Sequence, residues 1–313
     1  MLFQIHKACL LENSRSFGRS RLALLAFLVG IFLVPSSVEG QEINTELRLA
    51  LQRNYSNWKR AMISKDLTGW NTHTSRYRQT VTRNLIVSQK KDWPRSLFAV
   101  PIQPPEVELL RLIEAKADGN VGRLVYFGHV DFRVSDEQPP NSIFMLYFLR
   151  EDGEWKFDRT RYFNLAGNDR VEKMSKNGSF DFLTEPDFAM PAKAPVTPPL
   201  CPSPFYVGHL RIVSMGYETN AKFNNFHDTD VDDTVVNEVL IGGIRKGPNT
   251  LKLKVNGSTK ATSGERRLEV EVYVNSNDPD RPRVRVFHLD PGEKVQAEYE
   301  FTVWANAVTM QKR

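Results

Sequence analysis

The chain has 313 residues, 41% hydrophobic and 25% charged, with a formal net charge of +5 and two cysteines. That length and balance suit two domains with sizeable cores and exclude wholesale disorder. Basic residues are interleaved with acidic ones, as in Glu265-Arg266-Arg267 and Asp280-Arg281. No basic stripe tracks phosphates, so nucleic acid is excluded as a partner.

The N-terminus carries thirteen uninterrupted apolar residues, Leu22 to Val34, behind Arg15, Arg19 and Arg21 and ahead of Pro35-Ser36-Ser37-Val38-Glu39-Gly40. The run is short for a bilayer span, which takes about 20 apolar residues. It fits the core of a secretory signal, with Val38-Glu39-Gly40 as the small-x-small cut before Gln41. The expectation is a signal peptide over 1–40 and a secreted or periplasmic protein; left uncleaved, the same segment is the one membrane contact. Its removal takes four basic and two acidic residues and leaves a charge of +3. Cys9 leaves too, so Cys201 has no disulfide partner, which fits a bacterial envelope better than a small eukaryotic secreted module. Asn54-Tyr55-Ser56, Asn177-Gly178-Ser179 and Asn256-Gly257-Ser258 match the glycosylation acceptor pattern and matter only in a eukaryotic host.

Leu47, Leu51, Tyr55, Trp58 and Met62 recur at helical spacing, with Asn44 or Thr45 as cap. A second helical stripe starts at Asp66 and runs through Leu67, Trp70, Thr74, Tyr77, Val81 and Leu85. After the prolines at 94, 101, 104 and 105, the pattern becomes an antiparallel meander: 109–116, 121–134, 143–149 and 155–163. The expected class is α+β, with helices and a curled sheet forming a cone. The first helix ending in Ser64-Lys65-Asp66-Leu67-Thr68-Gly69-Trp70, the meander, and the hairpin Arg150-Glu151-Asp152-Gly153-Glu154-Trp155-Lys156-Phe157 carry a resemblance. Over about 43–165 the chain resembles the nuclear-transport-factor-two-like superfamily, which shares its cone with polyketide-cyclase-like proteins. The resemblance implies that cone and brings no catalytic signature with it.

Residues 166–204 are crowded with prolines and read as a semi-rigid linker, its first half pinned to a domain by Phe180, Phe182 and Phe188. From 205 to 313 every segment alternates as a strand, about seven in all. Such a segment predicts an all-β sandwich, resembling immunoglobulin or fibronectin domains in architecture.

His129 and Asp131, with Arg133, share one face if the strand runs through them, so the carboxylate could orient the imidazole as a base. The apolar face, however, is that of Tyr126, Val130 and Phe132, which puts the trio outside. His73 lies near the second helical stripe beside Trp70 and Tyr77. Trp58, Trp70, Tyr77, Tyr126 and Tyr147 are the candidate lining of a cone pocket for a small apolar ligand. Asp228, Asp230 and Asp232 alternate as Ca²⁺ would want, but the loop from Asp228 has Asp233 where Gly is needed and Val239 where Glu is needed, so a solvated turn is the reading. Phe287 and Trp304, with Arg285, stand opposite in parity to Val286 and Val303 and could form an aromatic platform for a glycan or a protein. Cys201 has no histidine near it in sequence. No phosphate loop, nucleophile elbow or zinc motif occurs, and no cofactor is implied.

The reading is an exported, non-catalytic binding or assembly protein of the cell envelope or extracellular space, with a homo-oligomer among its forms. Two rivals stand: a cone-fold isomerase, dehydratase or cyclase using His129 or His73, and a carbohydrate-binding accessory protein.

Overall fold

The computed structural model describes residues 44–99, 103–133, 138–261, 264, 266–275, 283–292 and 294–306. The expected signal peptide and its cut at Gly40 lie outside them. Of the described residues, 42% lie in strands and 24% in helices. The chain is therefore mostly β, and the α+β cone is overturned. Described residues 44–75 and 103–194 make one unit; 76–99 and 195–306 make the other.

The first unit opens with α1 (Thr45–Ser64). Asn44 caps it by accepting the Leu47 amide, which the first turn leaves without a partner. The helix ends at Lys65 in the left-handed region. Its apolar stripe buries Leu51 and Tyr55 completely, and Trp58 stacks on Tyr55 and packs at a tilt against Phe157, ring centroids 4.0 Å apart. The stripe packs on a four-stranded antiparallel sheet of β1 (Arg111–Asp118), β2 (Val121–His129), β3 (Asn141–Glu151) and β4 (Glu154–Asn164), in that order.

Both faces of this sheet are built over. On one side lie Leu51, Tyr55, Val107, Tyr126 and Phe144 with the rest of the α1 core. On the other lie Val125, Ile143, Met145 and Tyr147, covered by Leu165, Val171, Phe182, Leu183 and Phe188. Double coverage explains the nearly continuous apolar run of β3, where Ser142 through Leu149 are all buried. The second cover is the first half of the segment predicted as a linker, which contains α4 (Asp169–Lys176). It is tied to the sheet by the buried Arg123, whose guanidinium pairs with Glu114 at 2.6 Å and donates to the Phe188 carbonyl.

The predicted second helix is two helices. The first, α2 (Leu67–His73), stops because Thr74 and Ser75 join the edge of β4: the Ser75 amide donates to Phe157 at 2.8 Å and its hydroxyl to Asp158 at 2.7 Å. The second, α3 (Arg76–Ser88), belongs to the other unit.

There the carboxamide of Asn84 donates to the Pro199 carbonyl at 2.8 Å and accepts the Cys201 amide at 2.9 Å. Arg83 adds a bond to the Cys201 carbonyl at 3.0 Å, and the Ser88 hydroxyl accepts the Gly242 amide at 2.8 Å. Cys201 is thus buried against α3, not displayed on a loop.

Eight strands follow: β5 (Gly208–Met215), β6 (Tyr217–Phe223), β7 (His227–Asp232), β8 (Val235–Val239), β9 (Gly247–Gly257), β10 (Arg267–Asn275), β11 (Arg283–Leu289) and β12 (Glu298–Ala305). They form two antiparallel sheets, β11-β10-β5-β8 and β12-β9-β6-β7, which share one apolar core from Leu210 to Ala305. Asn249 ties one end: its carboxamide accepts the Arg245 amide and an Asn224 N–H, and donates to the Arg245, Gly247 and Val303 carbonyls.

Asn84→Ala removes two buried hydrogen bonds and leaves the Cys201 amide unpartnered, a loss of roughly 2–4 kcal/mol. Hydrogen exchange should show the Cys201 amide and the α3 amides exchanging faster, with β2 and β3 unchanged. Equal acceleration in β2 and β3 would mean that α3 belongs to the first unit.

Candidate functional site

The richest cluster of ionisable groups lies on the outer face of the β11-β10-β5-β8 sheet. Along β10, Leu268, Val270, Val272 and Val274 enter the core, so Glu269, Glu271 and Tyr273 face outward. The neighbouring strands place Arg211 opposite Glu271 on one side and His288 opposite it on the other. In β11 the pairing jumps from Val272–Phe287 to Tyr273–Arg285, so Val286 is the extra residue of a bulge. His288 and Arg285, three apart, would face opposite ways on a regular strand; the bulge puts both outward.

The result is a charge lattice. Arg211 sits 2.8 Å from Glu271 and 3.4 Å from Glu269, Arg285 reaches the other oxygen of Glu271 at 2.8 Å, and Arg267 reaches Glu269 at 2.8 Å. His288 Nε2 is 3.4 Å from Glu269. The two glutamates are only 8% and 4% exposed although they point away from the core. Shielding from water pushes Glu271 up, but hydrogen bonds from Arg285, Tyr273 and Arg211 outweigh it and hold the carboxyl below its usual range. The Tyr273 hydroxyl is pushed up by the same shielding and by Glu271.

Glu269, Glu271 and His288 bring ligand atoms within 4.8 Å of one another, the one arrangement of metal-ligand type found among the described residues. The donor set does not suit a divalent ion. Two carboxylates already face three guanidiniums, so the cluster is net positive before any cation arrives, and ligation would have to displace charge-assisted bonds. Glu271, held ionised in this way, is also a poor proton carrier. The lattice holds strands together and presents guanidinium edges to solvent.

At the end of the same face stands His209, opposite Tyr273. It is 1% exposed, and neither ring nitrogen has a hydrogen-bond partner. Burial, reinforced by Arg283, lowers its pKa from 6.5 to about 4. His227 is used differently: Nδ1 accepts the Ile241 amide at 3.2 Å, and Nε2 lies 3.2 Å from Glu238.

The residues singled out from sequence are not gathered into one site. β2 ends at His129, whose Nδ1 contacts the Pro139 carbonyl at 2.7 Å, while Asp131, beyond the strand, accepts the Arg133 amide at 2.6 Å. Both are exposed, and each is engaged locally rather than with the other. His73 ends α2, half-buried, its pKa lowered by burial and by Lys156 and Arg60.

The five aromatic residues expected to line a pocket are divided. Trp58 and Tyr126 belong to the α1 side of the sheet, where Tyr126 is buried, accepts from Gln52, and has its pKa raised by burial to about 12. Tyr147 belongs to the opposite face, Trp70 is buried in α2, and Tyr77 is on α3 in the other unit. Asp228, Asp230 and Asp232 lie on β7, a regular strand. Asn220 bonds the first two, Lys222 pairs with Asp228 at 3.0 Å, and Ser258 and Lys260 engage Asp232. They do not converge on a common point as Ca²⁺ ligands must.

Phe287 and Trp304 are also separated. The bulge at Val286 turns Phe287 inward, where it packs against the core and lies 4.9 Å from the ring of Phe301. β12 has no such irregularity, so Val303 is buried and Trp304 is 54% exposed.

Sequence reasoning missed His209 and the lattice. Its signal was present: Glu at alternate positions of 267–273, Arg at alternate positions of 283–285, and Arg211 beside His209. No family model, curated protein or solved structure matches the chain.

With a folded-state pKa near 4 and an unfolded value near 6.5, His209 takes up its proton only in the unfolded chain between those limits. Stability should therefore fall as pH drops from about 6.5 to 4, by about 3 kcal/mol from this group, and flatten below. Urea midpoints across that range should lose most of this slope in His209→Leu. An unchanged slope would show that the imidazole is solvated.

Proposed function

We propose that this chain is an exported, non-catalytic binding or assembly protein that acts through protein contacts in the cell envelope or outside the cell. The observation that carries the reading is Trp304. It stands 54% exposed on the outer face of β12, opposite Pro248, with the Thr302–Thr250 pair next along that face and the pairs Lys252–Glu300 and Lys254–Glu298 beyond it. Tryptophan is among the residue types most enriched in binding hot spots, and this one is exposed. The glycan form of the reading needed two exposed aromatic rings, and Phe287 is turned into the core.

The leading apolar run and lone mature cysteine support export. No helix among the described residues is long and apolar enough to cross a membrane. The histidines support a structural rather than proton-transferring role, since His129, His227 and His288 each engage a neighbouring backbone or carboxylate group.

A photoreactive residue placed at Trp304 in the native host should give a discrete higher-mass adduct in the envelope or medium, with the same residue at Lys222 as control. No adduct above the control would overturn the reading, and an adduct confined to the cytosol would overturn the export part of it.

A further inference from the structure

Of residues 194–204, nine of eleven are prolines or directly precede one; only Val196 and Leu200 are neither. Proline fixes its own φ near −65°, and its ring pushes the preceding residue into extended geometry. The backbone is therefore committed to polyproline-II-like extension before any contact forms. The prolines lack N–H donors, so the segment cannot be absorbed as an interior strand of a sheet.

The structure gives it no helix or strand from 194 to 204 and anchors it only toward its C-terminal end. Asn84 holds Pro199 and Cys201 on α3, and Pro204 packs against Gly243, where a Cβ would lie 2.3 Å from the proline ring. The two residues free of proline restriction carry apolar side chains into water: Val196 is 90% exposed and Leu200 61%. A mere spacer has no use for these. At three residues per turn, Pro195, Pro198, Cys201 and Pro204 share one edge, which passes from exposed through half-buried to buried, while Val196, Pro199 and Pro202 share the next and are all exposed.

We propose that residues 194–204 are a preformed recognition strip for a partner protein with an aromatic-lined groove that reads polyproline helices. Pro199 and Pro202 would occupy adjacent ring-walled slots, with Val196 continuing the same edge and Leu200 filling an apolar flank. Anchoring by Asn84 removes part of the ordering entropy that a free peptide loses on binding. The inference rests on the reading of the chain as a binding protein, but on a surface distinct from Trp304.

The test titrates isotopically labelled full chain with an isolated SH3 domain and an isolated WW domain, two grooves of this type, following amide shifts. Saturable shifts should centre on Val196 and Leu200 with at least one domain. Val196→Asp with Leu200→Asp should weaken the interaction by at least about tenfold, and Pro199→Ala with Pro202→Ala likewise. Trp304→Ala should bind as the parent does, so a failure of the Trp304 surface is distinguishable from a failure here. Absence of shifts at Val196 and Leu200 with both domains, or shifts that survive the substitutions, would overturn the proposal and leave the segment a spacer.

Discussion

The carboxamide of Asn84 donates to Pro199 and accepts from Cys201, and through these two bonds the proline-rich segment is seated on α3. Much of the chain's organisation follows from that seat. A helix from the N-terminal half is claimed by the C-terminal unit, so the two units are not consecutive stretches of sequence. The segment after residue 194 becomes part of a folded body instead of a free tether. Cys201, whose thiol could otherwise be read as reactive, is enclosed with Ser88 and Asn84. The proline-rich strip is consequently held through its backbone, with the rings of Pro199 and Pro202 left exposed.

The two outer faces of the C-terminal unit use charge in different ways. On β12-β9-β6-β7 the outer strands are acidic and the inner ones basic, so Glu300, Lys252, Lys222 and Asp228 run across the sheet as exposed pairs. Pairs so exposed contribute little stability and chiefly keep the face soluble. On β11-β10-β5-β8 the glutamates are shielded beneath arginines, where losing one partner would leave charge unpaired. One bulged residue, Val286, decides both this lattice and the inward turn of Phe287.

Local pattern made individual elements legible. The α1 stripe, the four strands of the first sheet and the alternation of β6, β9, β10 and β12 all follow from residue spacing. Partner choice did not. The apolar periodicity through Thr74 reads as one helix because it does not show that Thr74 and Ser75 pair with β4. The apolar residues of β3 show burial on both faces, but not that residues 165–188 supply the second cover. The alternation in 283–289 gives the wrong face for Phe287 because a bulge leaves no mark in composition. The Glu–Arg lattice needs the strand order β5-β10-β11, which arises from non-local pairing.

The claim that α3 belongs to the C-terminal unit, with the proline-rich segment seated on it, has a direct chemical readout. The Ser88 hydroxyl lies 3.6 Å from the Cys201 sulfur. A Ser88→Cys chain, with Cys9→Ser to leave one possible partner, should form an intramolecular 88–201 disulfide under mild oxidation, detected by mass spectrometry of the linked peptides. The sulfurs need to close to only about 2.05 Å. Two thiols that both remain free in the folded protein would contradict the assignment, because α3 would then pack elsewhere.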